Sequence, residues 1–284
     1  MTITSDWHIH SRNSDDTASM SVAEIIRLTG EKGILDYGIT DHLHTPFNLR
    51  DIACSRKEFE ENAPGPRFHF GVEASCVSQW EITEIADGRY DNPVKGIRNG
   101  GPAGGPFAIA LTEGDIQHYA IEYVLGAVHW PIYVPLERET IIRHYHAQNM
   151  FLVTHALVDI IAHPWWWRGH WQDSAGNYRA EPWFDDFNRI PKSMHNEFAA
   201  AALECNTVVE INLDAVILNH RYPDRFKQQY LEYMAALKSS GVQLCVGSDC
   251  HMDDYGIDFD AASRMLSQVG ITDKDLWKLP PRKK

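Results

Sequence analysis

Apolar positions along this chain fall into two alternating rhythms. Short runs rich in Val, Ile and aromatic residues, near 3–8, 34–40, 67–73, 122–128, 158–162, 207–212 and 242–248, have the density of strands. Longer amphipathic stretches between them predict helices over 21–32, 137–157, 193–204, 224–239 and 258–268. The first opens with Ser21-Val-Ala-Glu24, the spacing of a capping box, and closes before Gly33. Strand and helix repeated in this way predict an α/β protein built on a parallel sheet or barrel, with 1–284 as one domain.

Two stretches break the rhythm and read as long surface insertions near one end of the scaffold: 79–118, centred on the Gly/Pro-rich residues 99–106, and 165–192, rich in Trp, Asp, Asn and Pro. The Gly/Pro cluster lacks both the strand before it and the Lys-Ser/Thr after it that a phosphate loop requires.

Charge and composition narrow the function classes. A formal net charge of −13, with basic residues clustered only in the tail at 281–284, argues against a nucleic-acid face. No run approaches the ~18 apolar residues of a membrane span, and the N-terminus has no signal-peptide pattern, so the expectation is a cytoplasmic protein acting on a small molecule. Cys54, Cys76, Cys205, Cys245 and Cys250 are scattered and lack a CxxC pair, so they read as free thiols in the core.

Nearly every predicted strand runs into a ligand-type residue. The ends carry Asp6-Trp-His8-Ile-His10, Thr40-Asp41-His42, Gly71-Val-Glu73, Gly126-Ala-Val-His129, Ile161-Ala-His163, Glu210-Ile-Asn212 and Gly247-Ser-Asp249-Cys-His251. In a parallel barrel all strand C-termini open at one mouth, so these side chains are expected to converge. Residues two apart on an extended strand point the same way, so His8 with His10, and Asp249 with His251, can each chelate an ion. Imidazole nitrogen with carboxylate oxygen suits Zn, Mn or Fe better than Mg or Ca. His44, His118, His144, His146, His155, His170, His195 and His220 lack a strand-end position and read as surface or core residues; His44 and His170 lie nearest the expected mouth.

Taken together and in this order, these motifs resemble the PHP (polymerase and histidinol phosphatase) superfamily. Glu122 to His129, Glu210-Ile-Asn212 and Arg221-Tyr-Pro223 are closer to its histidinol-phosphatase branch. The resemblance implies a distorted (β/α)7 barrel and two or three divalent metal ions. It implies that His8, His10, Glu73 and Asp249 hold the first ion, and that Glu73 bridges to a second shared with His129 and His163. His42 and His251 would hold the third with an acid from the loop after strand one, Asp16 or alternatively Asp15. Asp41 would support a ligand by hydrogen bonding.

The chemistry expected of such a centre is attack by a metal-bridging hydroxide on a small phosphorylated metabolite, with no side-chain nucleophile. Arg168 is the candidate phosphate clamp, against its reading as an ordinary surface arginine, and one of Trp165, Trp166 and Trp167 is expected to wall the pocket while the others pack in the core. The same hydroxide would attack a cyclic phosphodiester, a lactone or an amide; a non-catalytic metal-binding protein is the remaining alternative.

Overall fold

The computed structural model describes residues 2–62, 65–92, 94–97, 99–167, 183 and 185–281. In chain order it begins β1 (Ser5–Ile9), α1 (Val22–Lys32), β2 (Asp36–Leu43), α2 (Leu49–Glu61), β3 (Phe68–Ser75). Next come β4 (Val77–Ser78), α3 (Gln79–Ala86), β5 (Phe107–Ala108), α4 (Glu113–Tyr119), β6 (Tyr123–Ala127) and α5 (Arg138–Val153). The chain continues through β7 (Ile160–Ala162), α6 (Lys192–Cys205), β8 (Val208–Asn212), α7 (Asp224–Ser239), β9 (Leu244–Gly247) and α8 (Phe259–Gln268).

Seven parallel strands form one sheet in the order β1-β2-β3-β6-β7-β8-β9. Its two edges meet. Asp249 N–H donates to the His8 carbonyl at 2.7 Å, His10 N–H donates to the Cys250 carbonyl at 3.2 Å, and a parallel bridge joins Ile9 to Cys250. The result is the nearly closed, seven-stranded α/β barrel that the strand pattern predicts. All its strands are buried along their whole length, as parallel strands covered on both faces must be.

Alternation along the strands then sorts side chains into two layers. Ile39, Val72, Val124, Ile161, Val209 and Val246 pack outward under the helices in the main core. Trp7, Tyr123, Leu125, Ile160, Ala162, Val208 and Cys245 form a separate cluster that fills the barrel. The barrel is narrow at this level: a Cβ on Gly38 or Gly71 would fall onto the Tyr123 ring, whose hydroxyl donates to the Trp7 carbonyl at 3.0 Å. Glu73 on β3, His42 on β2 and Glu210 on β8 share the inward register, nearer the C-terminal mouth.

The capping box at Ser21 and Glu24 and a left-handed Gly33 end α1 as its sequence predicts. Helix α2 escapes the hydrophobic pattern because its buried face mixes Ile52 and Phe59 with Ser55 and Glu58. Glu58 is used structurally, accepting from Val22 N–H at 3.1 Å and Asn13 Nδ2 at 2.7 Å. The 79–118 stretch is more than a surface insertion, since it contains α3, β5 paired to β4, and most of α4, and it buries Ile85, Ile109 and Leu111. Of 165–192, the described Trp165, Trp167, Trp183 and Phe187 are core residues. Arg168 and His170 lie outside the described residues. The five cysteines are free, but Cys54 and Cys205 are exposed because they sit on the outer faces of α2 and α6, which corrects their reading as core thiols.

Candidate metal centre

The mouth of the barrel gathers His8, His10, His42, Glu73, His129, His163, Asp249 and His251 from strands spread over the whole sheet. Glu73 occupies the middle. Its Oε1 lies 2.9 Å from His163 Nε2 and 3.2 Å from His129 Nε2. Its Oε2 faces His42 Nε2 at 3.0 Å, His8 Nε2 at 3.3 Å and His10 Nε2 at 3.5 Å. Asp249 Oδ1 stands 3.2 Å from His10 Nε2 and 3.5 Å from His8 Nε2. On the solvent side, Asp16 Oδ2 lies 2.6 Å from His251 Nε2 and 3.2 Å from His42 Nδ1, and Asp15 Oδ1 lies 3.0 Å from that same nitrogen.

Among the described residues, donor atoms close enough to share an ion fall into four overlapping groups: His8, His10 and Asp249; His42, Glu73 and His129; His10, Asp16, His42 and His251; and Asp15, His42 and His44. His163 joins the cluster through Glu73. Asp15 and Asp16 both reach His42, while Asp16 alone contacts His251.

Where β7 and β9 end, the backbone bends sharply. His163 and Asp249 have φ of 28° and 57°, the left-handed region that non-glycine residues seldom occupy. Such conformations persist only where the surroundings over-determine them. Here the His163 N–H donates to Glu210 Oε2 at 2.6 Å, and Asp249 is pinned through its N–H to His8.

A second layer of polar side chains aims the imidazoles. His8 Nδ1 bonds Glu210 Oε1 at 2.7 Å, so its Nε2 points inward. Ser75 Oγ lies between His129 Nδ1 at 2.7 Å and His44 Nδ1 at 2.6 Å. His251 Nδ1 donates to the Asp249 carbonyl at 2.8 Å, and Asn212 Nδ2 donates to Glu210 and Asp249 at 3.1 and 3.2 Å. Of these, Ser75 was not singled out from sequence, although it lies two positions from Glu73 on the same face of β3; Glu210 was noted at a strand end and His44 near the expected mouth, neither with a ligand role, and His44 lies just past the end of β2. Asp41, expected to support a ligand, instead accepts from Ser11 N–H and Oγ, both at 2.6 Å, and clamps the loop after β1.

The electrostatics ask for cations. Burial alone would raise Glu73 and Asp249, but neighbouring imidazoles, His8 first in each case, hold both carboxyls well below the usual range. Asp16 is likewise held down, chiefly by His251 and His42 against the effect of burial. Burial opposes a charge on His8 and His42, yet the acids around them, Glu210 and Glu73 foremost, push both well above an ordinary imidazole. Burial drives His10 down to about 3 and His129 to about 4. The cluster thus keeps its carboxylates ionised and distributes protons unevenly over crowded imidazoles, a condition that bound metal relieves by replacing protons with divalent charge.

Several polar atoms at the mouth are not fully satisfied by the protein. Glu73 Oε2, both Asp15 carboxylate oxygens and His163 Nδ1 are buried without a well-formed hydrogen bond. His8 Nε2 and His10 Nε2 face each other at 3.0 Å, which sets two lone pairs against each other unless a proton or a cation lies between them. The donor set suits Zn, Mn or Fe. Above it opens a cleft of about 380 Å³, lined by the outer groups of the cluster, His42, His129, His163, Asp249 and His251 among them, together with Trp166, Lys95, Asp214 and Asn219. Trp166 is the pocket wall of its triplet, whereas Trp165 and Trp167 are buried in the core.

Neither a family model nor a curated protein matches the chain by sequence. Two solved structures share its fold over nearly its whole length. One is a histidinol phosphate phosphatase of Lactococcus lactis complexed with zinc, L-histidinol and phosphate, at 15% identity and a TM-score of 0.56, the match covering 95% of this chain and 94% of that one. The other, from Listeria monocytogenes and assigned as a histidinol phosphatase, aligns at 10% identity and a TM-score of 0.53, covering 90% of this chain and 99% of that one. At these identities the likeness is one of fold.

Proposed function

We propose that the chain is a metal-dependent phosphoesterase of the PHP superfamily, of the histidinol-phosphatase-like branch, acting on a small phosphorylated metabolite. The observation that carries this reading is Glu73, a fully buried carboxylate set between imidazoles on both sides, its Oε2 without a well-formed hydrogen bond. In this reading His8, His10, Asp249 and Glu73 hold one ion, and Glu73 with His129 and His163 holds a second. His42 and His251 hold a third with Asp16, for which Asp15, beside His42 and His44, is the alternative. Divalent Zn, Mn or Fe bound there supplies Lewis acidity toward phosphoryl oxygens and a water of lowered pKa.

The chain's own side chains do the positioning. Glu210 accepts a hydrogen bond from His8 Nδ1–H and so leaves Nε2 free to ligate a metal, and Ser75 Oγ does the same for His129. Trp166 packs at 4.9 Å from the His163 ring and 6.0 Å from that of His129 and forms an aromatic wall of the cleft beside them. The cleft is of the size that takes a metabolite rather than a polymer, and the chain's net charge of −13 is unsuited to nucleic acid.

Elemental analysis of the purified protein, paired with hydrolysis of an aryl phosphate before and after chelation, tests the reading. The expected result is about two to three ions per chain and turnover that chelation abolishes and metal restores. A protein that takes up no metal, or that fills its sites and cleaves no phosphoester, overturns it.

A further inference from the structure

The cleft above the centre is acidic, with Asp15, Asp16, Asp214 and Asp249 in its wall. Of the described residues that line it, Lys95 alone carries a fixed positive charge. Lys95 does not come from the barrel. It is supplied by the 79–118 stretch, on a tight turn at 92–96 that folds back beside the mouth.

That turn is built to hold its position. Asn92 and Gly96 exchange backbone hydrogen bonds at 3.1 and 2.8 Å, and the Asn92 side chain accepts from the N–H groups of Val94 and Lys95 at 2.8 and 2.9 Å. Gly96 has a φ of 68°, and a Cβ there would fall onto the Glu81 carboxylate and within 3.1 Å of Thr45 Cγ2. The turn is therefore pressed against both α3 and the segment that follows His44. On one side of Lys95, Thr45 Oγ1 donates to the Val94 carbonyl at 3.2 Å. On the other, Ile97 N–H donates to the buried Glu81 at 2.8 Å and the Ile97 carbonyl accepts from Tyr133 at 2.7 Å. With both flanks anchored, the half-buried Lys95 stands at the cleft with no carboxylate within 4 Å of its ammonium among the described residues.

Among the described residues Lys95 has no ion pair although it lines an acidic cleft, so its electrostatic partner is still to come. Asp16 and Asp249 are taken up by the metal centre in the proposed reading, with Asp15 the alternative to Asp16. We propose that Lys95 is a substrate-binding residue that receives an oxygen of the anionic phosphate group and so sets a preference for phosphomonoesters over neutral esters. This inference rests on the phosphoesterase reading and gives the 79–118 stretch its role: it carries the recognition cation to a centre that the barrel builds.

Inorganic phosphate is the probe, titrated calorimetrically into the metal-loaded full chain, wild type against Lys95→Gln and Lys95→Arg, with metal content measured in each. The expected result is a loss of about ten- to a hundredfold in phosphate affinity for Lys95→Gln, the scale of a hydrogen bond to a charged group, at unchanged metal content. Lys95→Arg, which keeps the charge, should recover most of it. With an aryl phosphate, Lys95→Gln should raise KM more than it lowers kcat. Equal phosphate binding by wild type and Lys95→Gln overturns the role of the lysine and leaves the phosphoesterase reading standing. A metal-loaded wild type that binds no phosphate and cleaves no phosphoester overturns both.

Discussion

Glu210 has no place among the expected ligands, yet its two oxygens serve separate parts of the centre. Oε1 fixes the His8 ring and Oε2 holds the His163 backbone in its left-handed turn. Gly247 lies against it because any Cβ there would fall onto Glu210 Oε1 and the His8 Cβ. Removing the Glu210 charge while keeping its shape should therefore act on metal rather than on folding. For Glu210→Gln we expect metal affinity to fall by about 10–100-fold, the usual cost of losing such a partner. Competition against a chromophoric chelator measures this, and unchanged affinity would show that His8 needs no such anchor. Sequence noted Glu210 at a strand end and His44 near the mouth but gave neither a role, and it passed over Ser75, because position along the chain does not identify the atom across the barrel that each one meets.

At the scale of elements, α5 steadies the segment after β6 that carries His129. Ile132 N–H donates to His144 Nε2 at 3.0 Å, and this bond requires a neutral ring. Burial pushes His144 down to about 4 from an ordinary value near 6.5. A depressed histidine contributes its full stability above the unfolded value, and loses it as pH falls from about 6.5 toward 4, because the unfolded chain takes up the proton first. The shift corresponds to at most about 3 kcal/mol. Denaturant unfolding of wild type and His144→Gln between pH 8 and 4 should show the wild type losing stability more steeply below about 6.5. The centre's own titration is common to both proteins and drops out of the comparison, so parallel curves would exclude His144 as a source of acid sensitivity. A π-turn at Leu213–Ile217 places Asp214 in the cleft, with Asn212 accepting from Ala215 N–H at 2.9 Å to start it. Such turns recur near functional sites.

For the whole molecule, closing the sheet between β1 and β9 forces imidazoles and ionised carboxylates into one mouth. The same closure places Asp249 and His251 beside His10 and Asp16. Emptied of metal, that mouth is a concentration of unbalanced charge at the seam of the barrel. If the proposed reading holds, chelation should lower the melting temperature by about 5 °C or more, since one ion present at about a hundredfold over its dissociation constant contributes about 2.7 kcal/mol. Scanning calorimetry with and without chelator, followed by metal add-back, reads this directly. An unchanged melting temperature would argue that the cluster is stable as a network of hydrogen bonds.

Sequence alone determined the seven strands, five of the helices and the eight strand-end groups that converge, because hydrophobic period and cap chemistry are local and a parallel barrel sends every strand end to one mouth. It did not reveal α2 or the elements within 79–118, whose buried faces include polar residues such as Glu58 and Glu81 that find partners only in the folded chain. Only the tertiary structure decided which acid stands beside which imidazole, that Asp41 clamps Ser11, that Ser75 links His44 to His129, and that Lys95 reaches the cleft. These pairings join residues 30 to 202 positions apart. They are set by barrel closure and loop docking, which bring remote segments within hydrogen-bonding distance by packing rather than by any period in the chain.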